Sequence, residues 1–213
     1  MQIIIALDNM SFDKALELMV LLGDFVDGFK INHTLLEHTS MFENYEGELF
    51  IDFKLWDTPA TVCSVVEMIL KKGATMTTIS TFNNDEVFKD LHQYSEDIKL
   101  LGVTYLTSWS DTEQYKIVRE PKSNMWDRNL KRIRKSGFSG IVCSAQDIKD
   151  IEDTSVLRIC PGITFHSHNH GQSRTTTPRQ AKDLGADYII IGRSVTLSDD
   201  PVKKIVDKKK TLD

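Results

Sequence analysis

Eight apolar runs of strand length alternate along the chain with stretches that carry apolar residues at helical spacing. Short runs that are apolar throughout are typical of strands buried on both faces, and strands that alternate with helices favour a parallel sheet. Eight such units in 213 residues predict a single-domain (β/α)8 TIM barrel over residues 1–213. An open doubly wound sheet is less favoured, because no glycine-rich turn follows the first run. The predicted strands are residues 3–7, 28–31, 49–53, 76–80, 100–106, 140–143, 157–160 and 188–191.

Three hydroxyl residues stand where helices are expected to begin. Ser11 precedes a segment with apolar residues on one helical face, and Thr58 and Thr177 are followed directly by Pro59 and Pro178. Serine and threonine side chains cap helix N-termini, and proline is favoured at the first helical position. We therefore expect a helix to begin after each of these three residues.

The charge and cysteine content restrict the partners and the compartment. The chain has 26 Lys and Arg against 31 Asp and Glu, a net charge of −5, and no basic stripe, so we expect no nucleic-acid partner. The three cysteines match no metal-binding or disulfide spacing and are expected to be thiols in a reducing compartment. No run approaches the roughly 20 apolar residues of a membrane span, and Met1 leads directly into a strand. We expect a cytoplasmic protein with no membrane partner.

Charged residues stand at the ends of the first three predicted strands. Asp8 follows the first strand, Lys30 lies in the second, and Asp52, Lys54 and Asp57 lie in or after the third. The carboxyl ends of the strands form the active face of a TIM barrel. Asp52 and Lys54 are two residues apart on one strand, so their side chains should point the same way. A salt-bridged surface loop is the alternative interpretation, and it is weaker because Asp8 and Lys30 also end strands.

Several segments together resemble the orotidine 5'-phosphate decarboxylases, in particular their bacterial branch. Residues 50–62, with the sequence FIDFKLWDTPATV, are similar to the signature of that family. The similarity covers nearly the whole chain, in order and at suitable spacing. The other segments that carry it are residues 5–8, 28–30, 106–108, 140–146, 160–163, 172–174 and 191–194.

The resemblance implies a reaction and a role for each residue of the signature. The reaction is decarboxylation of orotidine 5'-phosphate to uridine 5'-phosphate, the last step of de novo UMP synthesis, with no metal or other cofactor. Lys54 would be the general acid that protonates C6, and Asp52 would lie beside the substrate carboxylate in an alternating array with Lys30 and Asp57. In this family the last aspartate and a nearby threonine come from the neighbouring subunit. By match these are Asp57 and Thr61, which implies a homodimer with shared active sites.

The resemblance also assigns the contacts to the rest of the substrate. Asp8 and Lys30 would bind the ribose, and Pro161 would line the pocket. The pyrimidine amide edge would be met by Thr107 and Ser108, and the phosphate by Gln172, Gly192 and Arg193.

The long segment of residues 164–176 departs from the family pattern. Thr164 stands where many bacterial relatives carry arginine, which puts one contact of this loop in doubt. His166, His168 and His170 alternate and would suit a metal in an extended loop, but a polar lid is the simpler interpretation. Trp56, Trp109 and Trp126 are expected to pack against the protein rather than to serve as stacking platforms.

Other functions remain as alternatives. Keto-gulonate phosphate decarboxylases and hexulose phosphate synthases are similar magnesium-dependent barrels that share the Asp-x-Lys-x-x-Asp spacing. They lack the Pro59-x-Thr61 continuation and the pairing of Gln172 with Arg193. A barrel that binds a nucleotide without catalysis would be expected to lose Lys54 or Asp52, and both are present.

Overall fold

The computed structural model describes residues 1–104, 106, 109–151, 155–165 and 175–210, and within them eight parallel strands close into a barrel in sequence order. β1 pairs with β2 on one side and with β8 on the other, for example through Ile3 and Ile189. This closure confirms the predicted TIM barrel and rules out the open sheet. The strands are β1 Gln2–Ala6, β2 Gly28–Ile31, β3 Glu48–Leu55, β4 Met76–Ser80, β5 Lys99–Val103, β6 Gly140–Val142, β7 Leu157–Ile163 and β8 Tyr188–Ile191.

Helices follow the strands and cover the outside of the barrel. Among the described residues the α-helices are α1 Phe12–Leu22, α2 Pro59–Lys71, α3 Asp85–Leu91, α4 Asp111–Val118, α5 Lys122–Lys135, α6 Pro178–Asp183, α7 Arg193–Thr196 and α8 Pro201–Lys210. Short 3-10 helices lie at Gly23–Phe25, His33–Phe42, His92–Tyr94 and Ala145–Asp150.

The three helix starts lie where the sequence predicts them. The Ser11 hydroxyl accepts from the backbone of Lys14, and Thr177 forms a reciprocal capping box with Gln180. Thr58 precedes α2 with an extended backbone, but its hydroxyl makes no capping bond and lies 3.0 Å from the Thr61 hydroxyl. The boundary at Thr58 is thus confirmed, although proline at the first helical position marks it rather than a side-chain cap.

Two apolar layers form the core because the strands bury both faces. Outward-facing residues pack against the helices in one continuous cluster, which includes Ile5, Phe29 and Trp126. Inward-facing residues such as Ile4 and Phe50 fill the barrel interior.

A polar network closes the amino-terminal end of the barrel. The Glu48 carboxylate accepts from Lys99 Nζ at 2.7 Å, from Thr75 Oγ1 at 2.6 Å and from the Tyr188 hydroxyl at 3.2 Å. The carboxyl-terminal end is left open for a site.

Two strand ends differ from the prediction by three residues, and the other differences are of one or two residues. The predicted fifth strand ran to residue 106, but β5 ends at Val103, where its pairing with β6 ends at Val142. The predicted seventh strand stopped at residue 160, but β7 continues through Pro161 and Gly162 to Ile163, which pairs with β8 after a shift in register. Both differences change which residues reach the open end of the barrel.

Candidate active site

A cavity of about 750 Å³ opens at the carboxyl-terminal ends of the strands. This volume lies in the range of pockets that hold a small organic ligand. Seven of the residues singled out from the sequence line it together: Asp8, Lys30, Asp52, Lys54, Pro161, Gly192 and Arg193.

Four of these side chains form a line of alternating charge on the cavity wall. Lys30 Nζ contacts Asp8 Oδ2 and lies 3.2 Å from Asp52 Oδ2. Lys54 Nζ is 2.8 Å from both carboxylate oxygens of Asp52. The array therefore runs Asp8–Lys30–Asp52–Lys54, and each inner charge has an opposite charge on both sides.

Burial increases through the middle of this array. The side chains of Lys30 and Asp52 are 7% and 12% exposed, whereas that of Lys54 is 40% exposed and reaches into the cavity. A charge is costly to bury unless it is paired, and here the most deeply buried charges are those with two partners. The exposed end of the array is the ammonium of Lys54.

The array fixes the charge states of its two buried members. Burial alone would raise the pKa of Asp52, but Lys30, Lys54 and a hydrogen bond from Thr78 outweigh it and lower that pKa from 3.8 to about 2. Burial would lower the pKa of Lys30, but Asp52 and Asp8 outweigh it and the pKa ends above its usual value of 10.5. Both groups are therefore charged across the neutral range.

The backbone of β3 departs from regular strand geometry where it carries Lys54. Lys54 has a φ of +51°, in the left-handed region that residues other than glycine seldom adopt. The register between β3 and β4 also shifts between Ile51 and Leu55. Sequence alternation correctly predicted that Asp52 and Lys54 lie together, but their proximity arises in an irregular segment.

The opposite wall of the cavity is formed by the ends of β7 and β8. Pro161 and Gly162 belong to β7, and Gly192 and Arg193 follow β8 directly. Thr164 is buried here, and its hydroxyl lies 3.0 Å from that of Ser194. The residue that departs from the family pattern thus lies in the cavity wall and contacts the segment that begins α7.

Asp57 and Thr61 lie elsewhere. Neither is among the described residues that line the cavity, and both are exposed on the surface of this chain. The loop of Asp57 is held from behind, because the Asp57 N–H donates to Asn83 Oδ1 at 3.2 Å and Asn83 Nδ2 donates to the Leu55 carbonyl at 2.8 Å. A single chain therefore brings Lys30, Asp52 and Lys54 together without Asp57.

Some predicted site residues lie outside the described residues. These are Thr107 and Ser108 after β5, Gln172 before α6, and the histidines His166, His168 and His170. Their roles stay predictions.

The family model described as "Orotidine 5'-phosphate decarboxylase / HUMPS family" matches residues 1–207. The chain belongs to this family. It is 33% identical to the orotidine 5'-phosphate decarboxylase of Aquifex aeolicus, with 94% of each chain covered, and 36% identical to that of Wolbachia pipientis, with 72% of this chain and 70% of the relative covered. Its structure is similar to that of the Lactobacillus acidophilus orotidine 5'-phosphate decarboxylase, with a TM-score of 0.83, 27% identity and coverage of 100% and 99%.

Membership in this family makes the chain an enzyme, and it agrees with the position of the cavity. In a TIM barrel, residues at the carboxyl ends of several strands converge on one site, and the array draws on β1, β2 and β3.

Within the described ranges, no three His, Cys, Asp or Glu side chains are grouped so that they could hold a metal ion. None of the helices described here is both long and apolar enough to cross a membrane.

The sequence reasoning missed the apolar floor of the cavity. Phe50, Val103, Val142 and Ile190 line it and belong to the inner cluster of the barrel. Alternation along each strand from a predicted site residue was the available signal, since Phe50 precedes Asp52 by two residues and shares its face. The reasoning also missed Thr196, whose buried hydroxyl lines the cavity and has no hydrogen-bond partner among the described residues.

The expectation for the three tryptophans was correct for two of them. Trp126 is buried in the core, and Trp109 is half-buried and packs against it. The expectation was wrong for Trp56, which is 71% exposed in the single chain and whose ring is tilted against that of Phe82, with 6.4 Å between the ring centroids. Trp56 precedes Asp57, so an exposed aromatic surface adjoins the two family residues that lie outside the cavity.

Proposed function

We propose that this chain decarboxylates orotidine 5'-phosphate to uridine 5'-phosphate, with Lys54 as the general acid and without a cofactor. The observation that carries the proposal is the ammonium of Lys54, bonded to both oxygens of Asp52 and exposed to a cavity of nucleotide size. Family membership and the names of the relatives support the substrate. The product places the reaction at the last step of UMP synthesis.

The chemistry requires a fixed positive charge at C6 of the pyrimidine. When the bond between C6 and the carboxylate breaks, carbon dioxide leaves and the electron pair stays on C6, which has no adjacent carbonyl to accept it. An ammonium held at that carbon stabilises the developing charge and then transfers a proton to it. Lys54 becomes a neutral amine in this step and regains a proton from solvent. The positive charge comes from the protein itself, so the mechanism needs no electron sink.

Asp52 has two functions in this mechanism. It holds the ammonium of Lys54 in place, and it puts a second negative charge beside the carboxylate of the bound substrate. The low pKa of Asp52, about 2, means that this negative charge persists when the substrate binds at neutral pH. Repulsion between the two carboxylates would be relieved as carbon dioxide departs, which is the direction that speeds the reaction.

The remainder of the cavity provides contacts for the ribose and the phosphate. Asp8 Oδ1 is buried and has no hydrogen-bond partner among the described residues, so it suits a ribose hydroxyl donor. We assign the phosphate to Gly192 and Arg193, with Gln172, and the pyrimidine edge to Thr107 and Ser108. Pro161 lines the cavity wall.

We further propose that the enzyme is a homodimer in which Asp57 and Thr61 complete the partner's site. Two observations support this arrangement. Asp57 and Thr61 are exposed and lie outside the cavity of their own chain. The neighbouring Trp56 exposes most of its indole, with Phe82 beside it. Tryptophan is enriched among the residues at interface centres.

We place the enzyme in the cytoplasm. Cys143 and Cys160 are buried, Cys63 is half-buried, and all three are free thiols. Free thiols agree with a reducing compartment.

The first test follows the ultraviolet absorbance of orotidine 5'-phosphate with purified protein, EDTA and no added cofactor. We expect conversion to uridine 5'-phosphate. An absence of conversion by folded protein, followed by turnover of a sugar phosphate with magnesium, would instead assign the chain to the other activity in the family's description.

Two variants separate chemistry from folding. Lys54→Ala is expected to abolish turnover while uridine 5'-phosphate still binds, and Lys99→Ala, at the closed end of the barrel, is expected to retain turnover. Retained turnover in Lys54→Ala would overturn the role of Lys54.

A mixing experiment tests the shared site. Inactive Asp57→Ala and Lys54→Ala subunits are expected to regain partial activity when mixed, because one site of each mixed dimer then holds both native residues. Mixed dimers that form but stay inactive would contradict the sharing of Asp57.

A further inference from the structure

Thr78 lies behind the charge array, in the middle of β4. It is 1% exposed and is not among the described residues that line the cavity. Its hydroxyl makes two hydrogen bonds, both to the segment that carries the array. It accepts from the backbone N–H of Lys54 at 2.8 Å and donates to Asp52 Oδ1 at 2.7 Å.

The irregularity of β3 explains why a side chain takes this position. Ile51 pairs with Thr77, and Leu55 pairs with Ile79, so β3 advances four residues while β4 advances two. Thr78 alone therefore faces the segment of Asp52, Phe53 and Lys54. Within this bulge the Lys54 N–H donates to the Thr78 hydroxyl instead of to a β4 carbonyl, which satisfies a backbone donor that the shifted ladder would leave unpaired.

The two bonds fix the direction of the hydroxyl proton. A backbone N–H can only donate, so Thr78 Oγ1 must accept from Lys54. The single hydroxyl proton is then committed to Asp52. The Asp52 carboxylate is held on every side as a result: Oδ1 accepts from Thr78 and Lys54, and Oδ2 contacts Lys30 and Lys54.

We propose that Thr78 is a positioning residue for the decarboxylation, acting through Lys54 and Asp52 without touching the substrate. Its hydroxyl links the left-handed backbone of Lys54 to the carboxylate of Asp52, so that the ammonium and its counter-charge are held as one rigid unit. This inference rests on the proposed roles of Lys54 and Asp52. A displacement of about 1 Å at a reacting group can cost about 100-fold in rate, which is the scale on which such a link acts.

The chain offers a matched control one residue away. Thr77 is also fully buried on β4, and its hydroxyl donates to the Ile51 carbonyl at 2.9 Å. Its side chain points to the opposite face of the strand and has no bond to the array. Thr78→Val and Thr77→Val each replace one buried, hydrogen-bonded hydroxyl by a methyl group. Thr78→Val also leaves the Lys54 N–H without this acceptor and removes one bond to the Asp52 carboxylate, so we expect it to lose more thermal stability than Thr77→Val.

The test compares kcat, KM and the Kd for uridine 5'-phosphate among the wild type, both valine variants and Thr78→Ser. We expect Thr78→Val to lower kcat by about 10- to 100-fold, while its Kd for uridine 5'-phosphate stays close to that of Thr77→Val. Thr78→Ser keeps the hydroxyl and should restore kcat to near the wild-type value. A purely structural role would not separate kcat from product binding in this way.

A kcat of Thr78→Val equal to that of Thr77→Val would overturn the proposal. If Thr78→Val does not fold, Thr78→Ala and Thr77→Ala carry the same comparison, with the same expected difference in kcat. A folded wild type without activity on orotidine 5'-phosphate would overturn the proposed function and this role together. An active wild type with no difference between the paired variants overturns the role of Thr78 alone.

Discussion

Replacing Lys30 by methionine tests whether the charge array is organised as its geometry indicates. Lys30 is buried between the carboxylates of Asp8 and Asp52. Methionine fills a similar volume but leaves two buried carboxylates without their shared cation. Removing one member of a buried ion pair typically costs about 3–5 kcal/mol, and we expect Lys30→Met to lose that much free energy of unfolding near neutral pH.

The distances in the array support this magnitude. At 3.2 Å and an effective dielectric constant of about 20, the contact of Lys30 with Asp52 is worth roughly 5 kcal/mol before desolvation. The contact with Asp8 adds to this value, and the cost of burying the ammonium subtracts from it. A net loss of about 3–5 kcal/mol on deleting the cation is consistent with these opposing contributions.

The pH dependence of the effect follows from the pKa of Asp52. In the wild type this pKa is about 2, below its usual 3.8, so its stabilising contribution is present above the usual value and is lost as pH falls towards 2. Lys30 makes the largest charge contribution that lowers the pKa of Asp52, so we expect that pKa to rise in the variant. The folded variant then takes up a proton at Asp52 at a higher pH than the wild type does, which relieves the buried charge. The destabilisation should therefore shrink in acid.

The raised pKa of Lys30 does not make the stability of the wild type depend on pH in the neutral range. Its stabilising contribution is complete below the usual value of 10.5 and is lost only as pH rises above the raised pKa. The contribution of Lys30 to the stability of the wild type is therefore constant between acid and neutral pH.

Urea unfolding followed by tryptophan fluorescence, at one fixed protein concentration, measures the effect. Lys99→Met is the matched control, because among the described residues Lys99 forms an ion pair only with Glu48 and its side chain is 37% exposed. Its loss should stay below about 1 kcal/mol. A loss in Lys30→Met no larger than that in Lys99→Met, or one that does not shrink in acid, would refute this account of the array.

Three further predictions concern the site, the backbone and the interface. Arg193→Ala should weaken binding of uridine 5'-phosphate by about 10- to 100-fold, which is the worth of a charge-assisted hydrogen bond. The weaker binding of uridine, which has no phosphate, should stay unchanged. Calorimetry that shows equal losses for both ligands would contradict the phosphate assignment. Gly28→Ala would place a Cβ 2.6 Å from the backbone oxygen of Glu48 and should lower the free energy of unfolding by about 3 kcal/mol. In Gly73→Ala the new Cβ meets nothing within 4 Å, and the φ of +82° alone should cost about 1 kcal/mol. Equal losses of the two variants in urea unfolding would contradict the packing argument. Trp56→Ala should raise the dissociation constant of the dimer at least about 10-fold without destabilising the fold of the chain, and an unchanged constant in sedimentation would exclude Trp56 from the interface.

The architecture could be predicted from the sequence because strands buried on both faces have a recognisable sequence pattern. In a barrel covered by helices both faces of each strand are buried, so each strand is a short apolar run. A charged residue at the end of such a run, as with Asp8 and Lys30, stands out against it. The carboxyl ends of the strands meet at one end of the barrel, so the convergence of these residues follows from the topology alone.

The surface properties of individual residues could not be predicted in the same way. Trp56 and Trp126 are the same residue type, yet one is exposed and the other is buried. Periodicity places Trp126 on the inner face of α5, whereas Trp56 lies in a loop where no period applies. The exposure of a loop residue depends on what packs around it in three dimensions, and a single sequence carries no signal of that.

The position of Lys54 shows how a correct prediction can rest on an incomplete reason. Alternation along a regular strand would place Asp52 and Lys54 on one face, and the two side chains do bond. The regular strand, however, is interrupted at this point, with Lys54 at a φ of +51° and the register advanced by two residues. Neither feature is encoded in the spacing of the charges. Across the strand, the side chain of Thr78 provides an acceptor for the Lys54 N–H in this irregular segment. The Asp-x-Lys spacing therefore identifies the paired carboxylate and ammonium, whereas the residue that faces them on the next strand contributes to how rigidly they are held. A chain with the same spacing and an apolar residue in place of Thr78 would need another acceptor for the Lys54 N–H, or a different course for β3.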